Sequence, residues 1–358
     1  MGAKERNHAF DILCGICIIR MVTLHIMGFC GKDKVDWWLD IMQWSYFFMS
    51  FFFFKAGYFN KGTGSNDKEY LIDRSKRLLI PYLSAGLIGA AIYFAFYPHL
   101  SAKYKGWVEP LRVEHIWTNS GFYGNGPVWF LFSFFCMYIL VHYIEKIKHL
   151  HWIVISFPLI SYLLWKCGNP LWMSANNLFI ATFFFYLGRF WHFMMQRYTN
   201  EQMRYLSIVL TLAFVSINFL IPGKYVMSYN EFSGNHFTAV LDAIFALCGL
   251  SGLLLTAPSF RIPGLCFIGQ HSMVYFISHY PMLYFYRFMH LSFGRSIYNR
   301  WEEVVILIPV VFCICSWFVP YIEKIPWLSG RWKSATQPPV PLNERNQPRT
   351  YAQDDKHD

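Results

Sequence analysis

The chain has 358 residues and a formal net charge of +10, with 55% hydrophobic, 20% aromatic and only 15% charged residues. A soluble domain carries about 25% charged residues, so this composition excludes an ordinary soluble protein and indicates a polytopic helical membrane protein. The positive charge does not indicate nucleic-acid binding. Basic residues in cytoplasmic loops set membrane topology, and no basic stretch of this chain is interleaved with loop aromatics.

Apolar stretches of about 20 residues, enough to cross a hydrocarbon core of about 30 Å, recur along the chain. They predict an all-α, polytopic membrane helix bundle with about ten transmembrane helices. The predicted spans are residues 9–29, 37–58, 79–98, 127–145, 151–167, 177–195, 205–222, 237–256, 267–289 and 303–320. The membrane domain is therefore expected to cover residues 1–320, and the polar, proline-rich residues 321–358 are expected to form a disordered cytoplasmic tail.

An even number of spans places both termini on the same side of the membrane. Basic residues outside or near the ends of the spans, including Lys4, Arg6, Arg189 and Arg261, tilt the count toward cytoplasmic termini. Residues 1–8 are too short and polar for a cleavable signal, so the first span is expected to remain as an anchor.

The first span, FDILCGICIIRMVTLHIMGF over residues 10–29, carries ionisable side chains that cost about 2.5–3.5 kcal/mol each at the membrane centre. Helix geometry places Asp11 and His25 on one face, about 21 Å apart along the axis. Arg20 projects about 180° away from Asp11. We therefore expect Arg20 to be a structural ion-pair partner, with Asp242 as one candidate for its acid.

Six short motifs follow one another in order along the chain. They are FDILCGICIIRMVTLH (10–25), FFFFKAGYF (51–59), RSKRLLIPYL (74–83), GPVWFLFSFF (126–135), FFFYLGRF (183–190) and IGQHSMVYFISHYP (268–281). In this order they resemble the acyltransferase-3 family of integral membrane O-acyltransferases. The GPVWFL form is similar to the branch that acetylates sugars of surface polysaccharides.

The resemblance implies a multi-pass enzyme of the bacterial inner membrane. It implies transfer of an acyl group, usually acetyl, from cytoplasmic acyl-CoA to a hydroxyl of a surface glycan or its lipid-linked precursor, with no bound cofactor and no metal. His25 matches the catalytic histidine, and Arg74 and Arg77 match the pair that holds the donor. A neutral imidazole can accept the hydroxyl proton during attack on the thioester; an acyl-histidine intermediate is the alternative. Arginines can bind the phosphates of coenzyme A bidentately.

One position departs from the family pattern. The family places a basic residue eleven positions before the histidine, and Cys14 stands there in this chain. Lys55 lies near the inner end of the second span, which is the antiparallel neighbour of the first. We therefore hypothesise that Lys55 supplies the missing cation for the donor.

Five residues are candidates for the substrate or acyl passage. Asp11 is expected to shape the donor entrance, and His279 either lines the passage or makes a structural hydrogen bond. Trp117, Asn125 and Trp129 lie in or beside an outer loop whose aromatic and amide side chains can stack on sugar rings and hydrogen-bond hydroxyls. The outer loop of residues 223–236 has the same mixture.

Two other functions remain open from the sequence. A transporter or flippase of a small solute or lipid-linked sugar would use His25, Asp242 and His279 as a proton relay, although the chain shows no internal repeat of the kind many transporters have. A family member without catalysis would serve as an assembly partner in a polysaccharide complex, which the cysteine at position 14 keeps open.

Overall fold

A computed structural model describes residues 7–60, 66–96, 120–147 and 150–332. These residues form a helix bundle with one short β-hairpin. The helices are α1 (Ala9–Phe29), α2 (Asp36–Gln43), α3 (Phe48–Tyr58), α4 (Asp67–Arg74), α5 (Ile80–Phe96), α6 (Trp129–Lys146), α7 (Phe157–Lys166), α8 (Leu178–Arg197), α9 (Asn200–Leu220), α10 (His236–Thr256), α11 (Pro263–Gln270), α12 (Ser272–Ser292), α13 (Trp301–Ile322) and α14 (Pro326–Ser329). Strands β1 (Gly223–Val226) and β2 (Glu231–Gly234) pair antiparallel.

Seven helical segments of the described residues are long and apolar enough to cross a membrane, which confirms an all-α polytopic bundle. They are Ala9–Phe29, Asp67–Ala95, Gly126–Lys146, Ala175–Arg197, Asn200–Leu220, His236–Thr256 and Trp301–Ile322. The other three predicted spans take different forms. Residues 37–58 are broken into α2 and α3 by a turn, residues 151–167 form a 3-10 segment and the short α7, and residues 267–289 are divided between α11 and α12.

Glycines let the helices around α1 approach backbone to backbone. A Cβ atom at Gly15 of α1 would lie 2.3 Å from a carbonyl oxygen of α11, and one at Gly269 of α11 would lie 1.9 Å from the Asp11 carbonyl oxygen. A Cβ atom at Gly57 of α3 would lie 1.8 Å from a carbonyl oxygen of α8. Lipid tails provide little hydrophobic drive between helices, so such small-residue contacts hold them together. They fix α1, the helix that carries His25, inside the bundle.

A π-helical turn, Ser75–Leu79, joins α4 to α5 in one continuous helix. Within this turn the Ile80 N–H donates to the Ser75 carbonyl oxygen. The next donor in that register would be Pro81, which has no N–H. The Lys76 carbonyl oxygen instead accepts a hydrogen bond of 2.8 Å from the Trp332 indole nitrogen.

This contact gives the beginning of the predicted tail a defined position. Of residues 321–358, the first part continues α13 to Ile322, forms α14 and ends at Trp332 against the π-helical turn. Gly330 lies so close to this turn that a Cβ atom there would be 2.4 Å from the Arg77 carbonyl oxygen. Residues 333–358 lie outside the described residues.

Candidate functional site

The two ends of the bundle differ in the side chains they carry. The end at which α1 begins carries Arg74, Arg77 and Arg331, and we call it the basic end. The end at which α1 finishes carries the β-hairpin, residues 223–234, and we call it the hairpin end. Three cavities follow α1 from one end to the other: a mouth, a basic-end cavity and a His25 cavity.

His25 lines a cavity of about 210 Å³ at the hairpin end, the His25 cavity. Its ring centroid lies 5.0 Å from that of Tyr280 in an edge-on arrangement and 5.2 Å from that of His279. Within the described part of the chain, no hydrogen bond occupies either ring nitrogen of His25. The imidazole is therefore held by aromatic contacts on one side and is open to the cavity on the other.

His279 lies behind His25. Its side chain is fully buried, and its Nδ1 donates to the Tyr275 carbonyl oxygen at 2.8 Å. That bond leaves Nε2 as the unprotonated nitrogen, and Nε2 has no partner among the described residues. Of the two sequence-based expectations, the structure favours the structural hydrogen bond, with the His279 ring supporting that of His25.

Arg20 shares the His25 cavity, contrary to the expectation that it pairs with an acid elsewhere. Its Nε donates to Ser45 Oγ at 3.1 Å, and its guanidinium carbon lies 4.0 Å from the centroid of the Phe48 ring. The ion-pair prediction was therefore wrong for the described residues. A cation–π contact holds the charge inside the bundle instead, and Nη1 is buried there with no described hydrogen-bond partner.

Asp242 is correspondingly not a partner of Arg20. It is buried on α10 and accepts a hydrogen bond from the Asn218 amide of the neighbouring α9. Interhelical amide bonds of this kind satisfy a buried polar group without a cation. The predicted pairing of Asp242 with a buried cation was also wrong within the described residues.

Lys55 and Arg74 line the basic-end cavity, which has a volume of about 550 Å³. The Arg74 guanidinium carbon lies 4.1 Å from the centroid of the Tyr138 ring. Arg77 behaves differently: its Nε donates to Asp73 Oδ1 at 2.8 Å, and 58% of its side chain is exposed. The structure thus brings Lys55 and Arg74 together and leaves Arg77 outside this cavity.

The mouth, a space of about 630 Å³, lies next to the basic-end cavity. Lys55, Phe59 and Ser272 line both spaces, so the two are neighbours that share part of their walls. Asp11 lies on the wall of the mouth, where its Oδ2 accepts a hydrogen bond of 2.9 Å from Gln270 Nε2. Asp11 therefore lies in the wall of a space at the basic end of α1.

Arg331 also lines the mouth, and sequence reasoning missed it. Its Nη1 lies 2.6 Å from Glu323 Oε2, and His271 Nδ1 lies 2.6 Å from the other oxygen of the same carboxylate. Arg331 was not considered as a site residue because residues 321–358 were predicted to form a disordered tail. The contacts of Gly330 and Trp332 with the π-helical turn place this part of the chain beside the mouth.

Phe276 separates the basic-end cavity from the His25 cavity and lines both. On α1, Ile18 lines the first and His25 the second. Seven residues separate them, so they lie about 10.5 Å apart along the axis and within about 20° on one helix face. The Phe276 ring therefore lies between the basic-end cavity and the His25 cavity. Cys14, by contrast, is fully buried in the core.

The structure describes two of the three candidates in or beside the predicted outer loop, Asn125 and Trp129. Trp129 lines the His25 cavity. Asn125 is fully buried, and its amide donates to the carbonyl oxygens of Ala85 and Ile277 at 3.2 and 3.0 Å, so it ties α5 to α12. Trp117 lies outside the described residues. Among the described residues, no group of three His, Cys, Asp or Glu side chains could hold a metal ion.

Comparison with known families gives one match. The family model described as an acyltransferase domain, Acyl_transf_3, matches residues 7–319. A comparison with curated proteins found no significant match, and neither did a comparison with solved structures. The family match covers most of the chain and includes every motif identified in the sequence, from the first helix to α12. The chain therefore belongs to the acyltransferase-3 family and is an integral-membrane acyltransferase.

Proposed function

We propose that this acyltransferase moves an acyl group, acetyl in the simplest case, from acyl-CoA at the basic end to a glycan hydroxyl at the hairpin end. The acceptor is a cell-surface glycan or its lipid-linked precursor. The observation that carries the proposal is the series of spaces along α1: the mouth and basic-end cavity share Lys55, and the basic-end cavity and His25 cavity share Phe276.

The cations of the basic end and their distance from His25 favour acyl-CoA as the donor. Lys55, Arg74 and Arg331 are cations on the walls of the mouth and basic-end cavity, where phosphate oxygens would accept charge-assisted hydrogen bonds. Asp11 at the mouth and His25 are about 21 Å apart along α1. An acyl group that starts from anchored phosphates must therefore travel on a long, thin arm, such as the pantetheine of coenzyme A. The basic end then faces the cytoplasm of a bacterial inner membrane, and both termini are cytoplasmic.

His25 acts as the general base. Its unprotonated ring nitrogen takes the proton of the acceptor hydroxyl while the oxygen attacks the thioester carbonyl carbon. A tetrahedral intermediate forms, the carbon–sulfur bond breaks, and the leaving thiolate receives the proton from the imidazolium. Arg20 lies on the same cavity wall and offers positive charge to the transient oxyanion. The ring contacts with Tyr280 and His279 orient the imidazole.

The test is acyl transfer by purified protein in lipid nanodiscs supplied with radiolabelled acetyl-CoA and extracted lipid-linked glycan precursors. We expect label to appear in the glycan, and we expect His25→Gln to lower the rate at least about 100-fold, as for loss of a general base. His192→Gln, on α8, is the matched control, because His192 lines none of the three cavities. Transfer that persists in His25→Gln contradicts the assigned base, and precursor movement without acyl transfer supports a transporter instead.

A further inference from the structure

A fourth space opens at the hairpin end, outside the three cavities along α1. It is a cleft of about 640 Å³ between the loop of residues 167–177 and the β-hairpin, and we call it the amide cleft. Trp165, near the end of α7, and Trp172, in the loop, line one wall of the cleft. Tyr229 and Glu231 of the hairpin line the opposite wall. The cleft therefore combines aromatic rings with a polar surface.

Asparagine side chains hold the two walls of the amide cleft together. Asn169 Nδ2 donates to the Tyr229 carbonyl oxygen at 2.8 Å, and Asn230 Nδ2 donates to Asn169 Oδ1 at 2.8 Å. Asn177 Nδ2 donates to the Met227 carbonyl oxygen at 3.1 Å. Because these bonds join the loop to the hairpin, the cleft is shaped before any ligand arrives, which lowers the entropic cost of binding.

The floor of the amide cleft is fixed as well. Asn230 has a left-handed backbone with a φ of 45°, and its Oδ1 accepts a hydrogen bond of 3.0 Å from the Tyr225 hydroxyl. Burial raises the pKa of this hydroxyl, so Tyr225 stays protonated and keeps donating. The amides are thus occupied by the fold, and a ligand in the cleft would meet the exposed faces of the aromatic rings.

Two of these rings are well placed as binding platforms. Trp172 and Tyr229 each expose 62% of their surface, and they lie on opposite walls of the amide cleft. Sugar rings present apolar C–H faces and a hydroxyl rim, so they pack on aromatic rings while their hydroxyls bond to polar groups such as carboxylates. Exposed tryptophan also occurs where a protein meets lipid headgroups, but the asparagine-rich lining of this cleft favours a polar ligand.

Charge narrows the class of ligand. The described lining of the amide cleft contains Glu231 and no lysine or arginine. A polyanionic chain would meet a carboxylate without a compensating cation, which disfavours it. An uncharged oligosaccharide is not repelled by this carboxylate, and the hydroxyls of the oligosaccharide can donate hydrogen bonds to Glu231.

The amide cleft adjoins the His25 cavity. Ser228, between the two strands, lines both the amide cleft and the His25 cavity. We propose that the amide cleft binds an uncharged oligosaccharide segment of the acceptor and so directs one sugar of that chain past Ser228 toward His25. This inference rests on the proposed function, because it names where that function holds its acceptor.

The test is binding of the full-length protein in fluorescent nanodiscs to an array of neutral gluco-, galacto-, manno- and N-acetylglucosamino-oligosaccharides of two to six units. We expect binding that strengthens with chain length. We expect Trp172→Ala and Tyr229→Ala each to weaken it about tenfold or more, as for central aromatic contacts in an interface. Trp317→Ala on α13 removes an equally exposed ring that does not line the cleft and is the matched control.

Further measurements separate this inference from the proposed function. His25→Gln should lose acyl transfer, while its oligosaccharide binding should still fall when Trp172 or Tyr229 is replaced by alanine, since the amide cleft is intact. Trp172→Phe should keep most of the binding, which shows that a folded cleft with a ring suffices. If no array member binds, or if neither aromatic substitution weakens binding, the inference is overturned even where acyl transfer to glycan precursors is observed. If oligosaccharides bind but no acyl transfer occurs, the proposed function fails while the subsite remains.

Discussion

Replacing Lys55 by methionine tests whether this side chain supplies the cation that Cys14 does not. Lys55 is half-buried at the junction of the mouth and the basic-end cavity, where a donor phosphate would pass or lodge. A hydrogen bond to a charged group contributes about 1.5–3 kcal/mol. Since about 1.4 kcal/mol corresponds to a factor of ten, the Kd for acetyl-CoA should rise roughly 10- to 150-fold.

The assay is equilibrium binding of radiolabelled acetyl-CoA to protein in nanodiscs at two salt concentrations, which requires no acceptor. Lys55→Arg keeps the charge and should bind nearly as well as the unchanged protein. Lys68→Met removes an exposed lysine at the same end of the bundle and controls for the general loss of charge. A Kd within twofold of the original for Lys55→Met, alongside a large rise for Arg74→Met, would refute the role assigned to Lys55.

Three further predictions follow from the packing. Phe276→Ala should raise acetyl-CoA hydrolysis in the absence of acceptor, measured as released thiol, because water from the His25 cavity would reach the thioester. Phe285→Ala on the lipid side is the control. Unchanged hydrolysis in Phe276→Ala would contradict the role of Phe276 in separating the two cavities. Gly269→Ala should lower the free energy of unfolding by about 1–3 kcal/mol through overpacking against α1, seen as a lower thermal midpoint, whereas Gly264→Ala, which meets no atom within 4 Å, should not. Trp332→Ala should speed proteolysis after Arg331, because the bond to the Lys76 carbonyl oxygen is lost; equal rates would show that this bond does not hold the tail.

The place of a residue along its own helix could be predicted from the sequence. Hydropathy and length located the seven spanning segments of the described residues, although three further predicted spans took other forms. The 3.6-residue period put Asp11 and His25 on one face of α1. The structure places Asp11 at the mouth and His25 in a cavity at the other end of the same helix. These predictions needed only the geometry of one helix, which is local in sequence.

Partners across helices could not be predicted in the same way. Arg20 was expected to meet an acid and instead lies over Phe48, and Asn125 was expected at a substrate passage and instead bridges α5 and α12. The period of a helix gives the direction of a side chain relative to its own axis. It does not say which neighbouring helix lies in that direction or how deep that helix is set.

The sequence by itself determined a polytopic helical bundle, the acyltransferase-3 resemblance and the candidate histidine, because apolar length and motif order are properties of the chain alone. Only the tertiary structure decided that Lys55 and Arg74 share a cavity while Arg77 does not, that Phe276 stands between two cavities, and that Arg331 reaches the mouth. Each of these depends on close contacts between helices distant in sequence. Glycine-mediated approach and the docking of Trp332 set those contacts, and no local pattern encodes them.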